Sequence, residues 1–433
     1  MTSMEYLNHS FYRKRQLRYM YVYMFMLFTP AAVFSSFFPL YYKDIGYSDA
    51  MYGLQNAVLP IVGMIGNYLI GYLSDKFAAM KPLLLALLLA LIGVLFFVFH
   101  TSEPWTVMGL IFVFQFLWVP ATSLTDSMAM LAARRLGDSY AVIRGCGAAG
   151  FAVSAVLIGW LLERLPGHAS MGWIVMVLVG LTGCALLPLR DPRRDDTPRN
   201  AAEALAAEVS EESAGGLSTR KKPQEKVNMK EFWSYVFTRR FVLFMVVLII
   251  YNMTLIFNDQ YFSFMIRDMN GSSLDIGLGW MLPAATEVFV FLYLGRSGRQ
   301  FRPLFMLALS AVIMAARALV IYTTDVLPLI LFMQAVQGVG IALYFIYLAE
   351  YMMDLIPDRF RASGQAVMSV IISIGATMTG SLIGAFIYNQ LGTKALYLGM
   401  GLLLLVSAAG FIAAERLEGR HGTVCPETDT HSA

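Results

Sequence analysis

Twelve long apolar runs constrain this chain more than any other feature. They lie at 19–42, 52–74, 83–100, 105–130, 139–163, 170–189, 241–266, 274–295, 303–323, 328–355, 362–389 and 394–415. A helix needs about 20 apolar residues to cross a bilayer, and lipid admits only helices and closed barrels, because backbone polar groups find no water there. Hydrophobic residues make up 58% of the 433 positions and charged residues 14%. A soluble domain carries roughly 45–50% and about 25%. The composition excludes an ordinary cytosolic enzyme, a disordered chain and a disulfide scaffold. The fold class expected is an all-α membrane protein with twelve transmembrane helices. The first run follows Arg13, Lys14, Arg15 and Arg18 as a signal peptide would. It is longer than a typical apolar core of 7–15 residues, so it reads as an uncleaved span.

Lys and Arg set the orientation. Of the 32, the side holding the N-terminus carries 26 and the opposite side 4 (Lys43, Arg164, Arg267 and Lys394), with Arg144 and Arg317 inside spans. That split follows the positive-inside rule. It places both termini in the cytoplasm of a multi-pass protein of the cell (inner) membrane. Residues 190–240, opening on Arg190-Asp191-Pro192-Arg193-Arg194-Asp195-Asp196, read as a cytoplasmic linker with a surface helix near Glu231–Tyr235. The expected domains are an N-terminal bundle (1–189), the linker (190–240), a C-terminal bundle (241–415) and a tail (416–433).

The two halves repeat. At a shift of 224, Asp44, Ser48, Gly53 and Leu54 match Asp268, Ser272, Gly277 and Leu278. At 223, Leu59-Pro60 matches Leu282-Pro283, and at 225, Leu157-Ile158-Gly159 and Gly167 match Leu382-Ile383-Gly384 and Gly392. A six-span unit begins and ends on one side, so its copy keeps the same orientation. This arrangement resembles the parallel repeat of the Major Facilitator Superfamily, which implies two pseudo-symmetric six-helix bundles about a cavity that rocking exposes to either side.

Charges within spans need a reason, since each costs about 2.5–3.5 kcal/mol on insertion scales. Asp126 in span 4 and Arg144 in span 5 are counted ~12–14 Å inside the cytoplasmic boundary, close enough in depth to pair. Glu287 lies deep in span 8 with no cation evident at its depth, the setting in which a carboxyl exchanges a proton near neutral pH. Arg317 in span 9 sits nearer the outer side, so direct contact with Glu287 is not expected. Glu350 and Asp354 end span 10. The plainer alternative is that these charges pin helices together or guard a gate.

Gln115, Trp118, Thr122 and Asp126 share one face of span 4, and Gln334, Gln337 and Tyr344 one face of span 10. Span 7 offers Tyr251, Thr254, Asn258 and Tyr261. Amides, rings and a charged pair facing a cavity suit a neutral, hydroxyl-rich solute; interhelical hydrogen bonding is the alternative. Gly145-Cys146-Gly147-Ala148-Ala149-Gly150 spells G-x-G-x-x-G without a preceding strand, so it reads as close helix packing, as do Gly380 and Gly384. The three cysteines (Cys146, Cys184, Cys425) give no disulfide or metal spacing. No cofactor, metal, nucleotide or nucleic acid is expected.

Gly71-Tyr72-Leu73-Ser74-Asp75-Lys76 with Lys81 resembles the superfamily's loop signature, with Ala78 in place of its second glycine and a degenerate basic copy at Gly295–Arg302. Pro120 to Asp126, then Tyr140, Arg144, Gly147, Gly150 and Phe151, resemble a block of the lactose permease-like, nucleoside and phenylpropionate proton symporters. Ala141, Cys146 and Ala148 depart from it, and span 10 carries Gln334 and Gln337 where lactose permease-like members have a histidine. The resemblance implies proton-coupled uptake of a small polar organic solute by a monomer in the bilayer. Asp126 and Arg144 would contact substrate, Glu287 and Arg317 would serve proton coupling, and Gly71, Asp75 and Lys76 would form a gating loop. A drug/proton antiporter is the alternative, though span 5 has none of the proline such exporters carry there. A non-transporting membrane receptor is a third reading.

Overall fold

The structure, a computed structural model, describes residues 3–77, 79–136, 138–165, 167–191, 237–297, 301–355, 368 and 370–421. Among them there is helix and no strand. Span 1 comprises Ser3–Ser36 and a short helix Phe38–Asp44. Spans 2 to 6 are Asp49–Phe77, Lys81–His100, Pro104–Leu136, Tyr140–Arg164 and His168–Leu186. Spans 7 to 10 are Arg239–Asp268, Ser273–Ser297, Pro303–Thr323 and Leu327–Leu355. The remaining apolar stretch, Ile371–Leu417, is 47 residues long, about 70 Å as helix and twice what a bilayer needs. It divides at Gly392 (φ 79°, ψ −178°), which separates span 11 from span 12. Twelve crossings result.

The helix ends follow local chemistry. Pro82 and Pro303 occupy first-turn positions, where a missing N–H costs nothing. Pro30, Pro60, Pro120 and Pro283 lie inside helices, which neighbouring helices tolerate in lipid. In the loop before span 4, Glu103 accepts hydrogen bonds from the Thr106 hydroxyl and backbone, which hold its carboxyl below the usual range. One expectation changes. Gly71, Asp75 and Lys76 belong to the last turns of span 2 and not to a loop, because nothing in Gly71–Phe77 breaks the backbone ladder. The expected surface helix near Glu231–Tyr235, most of the linker and the expected start of span 11 at 362 lie outside the described residues.

The repeat reaches the backbone. Gly46 (φ 91°) and Asn270 (φ 57°) are 224 positions apart and both left-handed. Each closes its helix with the same pair of bonds: Gly46 N to Lys43 O and Tyr47 N to Tyr42 O, then Asn270 N to Arg267 O and Gly271 N to Ile266 O. This is the paired-bond helix stop that a left-handed residue permits. Gly167 (φ 112°) and Gly392 (φ 79°), 225 apart, are the other two left-handed positions among the described residues.

The same helix pairs recur in each half. Gly147 and Gly150 bring span 5 against Phe28 and the Phe25 carbonyl of span 1. Gly380 and Gly384 bring span 11 against Ile256, Phe257 and Tyr261 of span 7. Gly66 seats span 2 on Phe116 of span 4, as Gly338 seats span 10 on the Pro283 carbonyl of span 8. Gly172 meets Phe99 across spans 6 and 3, and Gly401 meets Leu319 across spans 12 and 9.

Two compact units divide the chain: Met1–Gln224 with Ser263–Met281, and Glu225–Phe262 with Leu282–Ala433. The division departs from the expected bundle limits because the 263–281 segment packs with the first half. Within that unit Gly277 abuts the Ala155 carbonyl, Leu274 N donates to Glu163 Oε1 at 3.0 Å, and Arg267 pairs with Asp44.

Candidate functional site

In the first unit, Arg144 Nη1 donates to Asp126 Oδ1 at 2.9 Å. Asp126 lies ten residues before the end of its helix and Arg144 four after the start of the next. These are unequal depths, which the long arginine side chain spans. The Tyr140 hydroxyl donates to the same carboxylate oxygen at 3.3 Å, and the guanidinium lies 4.6 Å from the Phe28 ring centroid. The pair is accessible: side-chain exposure is 45% for Arg144 and 36% for Asp126. Along the same face Gln115, Trp118 and Thr122 are half-buried. Trp118 stacks on Phe114 at 5.8 Å and meets Phe34 edge-on at 5.0 Å. The Thr122 hydroxyl donates to the Val119 carbonyl at 2.9 Å. An ion pair backed by rings, with polar groups a turn away, can orient a polar solute.

The second unit holds a different arrangement. Arg317 is 1% exposed. Its Nη2 donates to Asn258 Oδ1 and Gln334 Oε1, both at 2.7 Å, and its Nε to the Met333 carbonyl at 3.0 Å. The Tyr397 hydroxyl donates to Asn258 Oδ1 at 3.2 Å. That oxygen is thus shared by Arg317 and Tyr397, and Asp259 is the next residue along span 7. Arg317 also interacts electrostatically with Asp259. Asn258 and Gln334, expected to line a cavity, are therefore anchors for the arginine, 3% and 1% exposed.

Tyr344 departs furthest from expectation. It is 1% exposed, stacks on Tyr251 at 4.4 Å and accepts from Asn252 Nδ2 at 2.8 Å. It is packed interior, because helical spacing says which residues share a face and not whether that face is open. Gln337, 4% exposed, keeps its Oε1 without a hydrogen-bond partner. Glu287 is half-buried on span 8, where Gly338 lets span 10 approach its backbone. Asp259, Asn252, Ser310 and Tyr397 were not among the expected site residues. The depth criterion that marks Asp126 also marks Asp259, nine residues inside the end of span 7, but it lies off the face defined by Tyr251, Thr254, Asn258 and Tyr261.

On the side carrying the basic loops, Gly71 is half-buried and Asp75 and Lys76 are exposed. Lys81 of the same signature works as a clamp. Its Nζ donates to the Leu187 and Leu189 carbonyls at 2.6 and 2.7 Å, while Asp191 Oδ2 accepts from Met80 N and Lys81 N at 2.8 and 3.0 Å. One lysine thus caps the end of span 6 and one aspartate the start of span 3. Arg302 and Glu415 meet at 3.5 Å in the corresponding places of the second half. Among the described residues no three His, Cys, Asp or Glu side chains gather as a metal site, and Cys146 and Cys184 are free.

Twelve crossings, a parallel repeat visible in backbone and packing, and ionised side chains within membrane depth define a secondary transporter of the major facilitator type. The family profile described as "MFS_1 like family" matches residues 16–399, and the chain belongs to that family. It is 25% identical over 397 residues to the maltose permease of Geobacillus stearothermophilus, covering 90% of this chain and 93% of the permease. In fold it is similar to a crystal structure of the nucleoside transporter NupG, with TM-score 0.70, 16% identity, and 93% and 99% of the two chains covered. It is also similar to a crystal structure of the peptide transporter POT, with TM-score 0.63, 13% identity and 94% of each chain covered.

Proposed function

We propose that this chain is a proton-coupled symporter of a small polar organic solute, working by alternating access as a monomer in the cytoplasmic membrane. Its basic loops and both termini face the cytoplasm, as the distribution of Lys and Arg favours. The observation that carries the reading is the Asp126–Arg144 pair, joined at 2.9 Å yet more than a third exposed within membrane depth. A pair that only pinned helices would gain by being dry and packed. An accessible pair is free to exchange its partner for a solute. Gln115, Trp118 and Thr122 extend that surface along span 4.

Glu287 carries the proton. It is half-buried, and the buried arginine of its unit is engaged by Asn258, Gln334 and Asp259. A carboxyl without a compensating cation crosses a low-permittivity region more cheaply when neutral. Likeness to a maltose permease and to a nucleoside transporter favours a solute bearing hydroxyls. The test is uptake into proteoliposomes across a panel of sugars, nucleosides and aromatic acids, with and without an inward proton gradient. Accumulation of one class only under the gradient is expected. Export under the same gradient would indicate an antiporter, and binding without accumulation a receptor.

A further inference from the structure

Three polar groups of the second unit stand unexplained by packing. Asp259 is exposed although it sits well inside span 7. Arg317, 1% exposed, leaves Nη1 without a hydrogen-bond partner, and Gln337, 4% exposed, leaves Oε1 without one. Buried polar groups are almost always paired, so an unpaired donor and acceptor require a reason. They lie close in the fold: Arg317 binds Gln334, and Gln337 follows Gln334 by one helical turn.

We propose that Asp259, Arg317 and Gln337 form a hydroxyl-binding subsite that takes the adjacent pair of hydroxyls of a vicinal diol, such as a ribose or hexose ring. The inference rests on reading the chain as a solute carrier and adds the substrate class. The Asp259 and Arg317 charges cancel, which favours a neutral ligand over a cation or an anion. Each hydroxyl carries one donor and two acceptor lone pairs, so an adjacent pair can donate once to the Asp259 carboxylate and once to the Gln337 amide oxygen while accepting from the Arg317 guanidinium. Asn258 is a positioning residue: its oxygen holds Arg317 and Tyr397, and it is the neighbour of Asp259 in the chain. A diol presents those two donors at fixed spacing, one for each acceptor.

The test is equilibrium binding to the purified full chain, using maltose, uridine and 2′,3′-dideoxyuridine as probes. The wild type is expected to bind at least one of the two diol probes. Where that probe is uridine, the dideoxy analogue binds ~10–100-fold more weakly, the size of one or two lost charge-assisted hydrogen bonds. Asp259→Asn keeps the shape and is expected to weaken diol binding by a similar factor and erase the preference over the dideoxy analogue, with Asp259→Glu recovering part of it. Melting temperatures of both variants monitor folding. Wild-type protein that binds neither diol probe, or an Asp259→Asn variant that keeps wild-type affinity, overturns the subsite. A loss of gradient dependence with binding intact would instead overturn the proton coupling and leave this inference standing.

Discussion

The two arginines inside the spans share one chemistry and differ in what surrounds them. Arg144 is 45% exposed and Arg317 is 1% exposed. An exposed pair contributes about 0–1 kcal/mol to stability. Arg144→Gln and Asp126→Asn are therefore expected to leave the melting temperature nearly unchanged while uptake falls at least ~10-fold, the size of one lost charge-assisted hydrogen bond. Uptake assays beside thermal unfolding in detergent check this, and a large loss of stability would make the pair a structural pin. Arg317→Met is expected to do the reverse first. It strands the buried Asn258 and Gln334 oxygens that accept from the guanidinium and costs about 1–3 kcal/mol for each, visible as a melting temperature lowered by several degrees. Asp126 and Arg144 were legible in the sequence because a charge inside an apolar run is conspicuous and its depth can be counted from the nearest loop. The Arg317 cluster was not, since the partners of this span 9 residue come from spans 7, 10 and 12, and apolar periodicity does not say which helices meet. Tyr344 shows the same limit: it shares a face with Gln337, yet it is stacked on Tyr251.

At the scale of the helix, glycines decide how closely spans approach. A Cβ on Gly150 would overlap the Phe25 carbonyl oxygen, which is backbone and cannot swing aside. A Cβ on Gly384 would sit 3.0 Å from the rings of Phe257 and Tyr261, which can shift slightly. A Cβ on Gly145 would meet nothing within 4 Å. Gly150→Ala is expected to cost about 1–3 kcal/mol, Gly384→Ala less, and Gly145→Ala close to nothing. Unfolding midpoints of the three variants give the ranking, and equal effects would contradict it. Gly392→Ala adds a separate penalty of about 1–2 kcal/mol, from a side chain forced into the left-handed region at the turn between spans 11 and 12. Most helix limits were legible because Pro, Gly and charges punctuate the apolar runs. The helical end of span 2 was misread as a loop because Ser74, Asp75 and Lys76 are polar, and polarity marks the membrane surface and not the end of a helix.

Across the whole molecule, the repeat is the feature the sequence disclosed most fully. The matches at shifts of 223 to 225 paired Gly167 with Gly392, and the structure adds that both have positive φ and that helix pairs recur in both halves. The unit division was not foretold, because the docking of 263–281 on the first half depends on contacts such as Gly277 with the Ala155 carbonyl. Orientation is testable directly. A protease site inserted within residues 190–240 is expected to be cut in inside-out vesicles and protected in intact cells, with the opposite pattern for a site inserted at 101–103. The reverse result would place the basic loops outside.

Proton coupling through Glu287 is the central claim, and solute flux in proteoliposomes carrying Glu287→Gln tests it most directly. Neutral Gln mimics the protonated carboxyl, so the variant is expected to exchange solute across the membrane near the wild-type rate while failing to accumulate it under an inward proton gradient. Accumulation equal to that of the wild type would contradict the account.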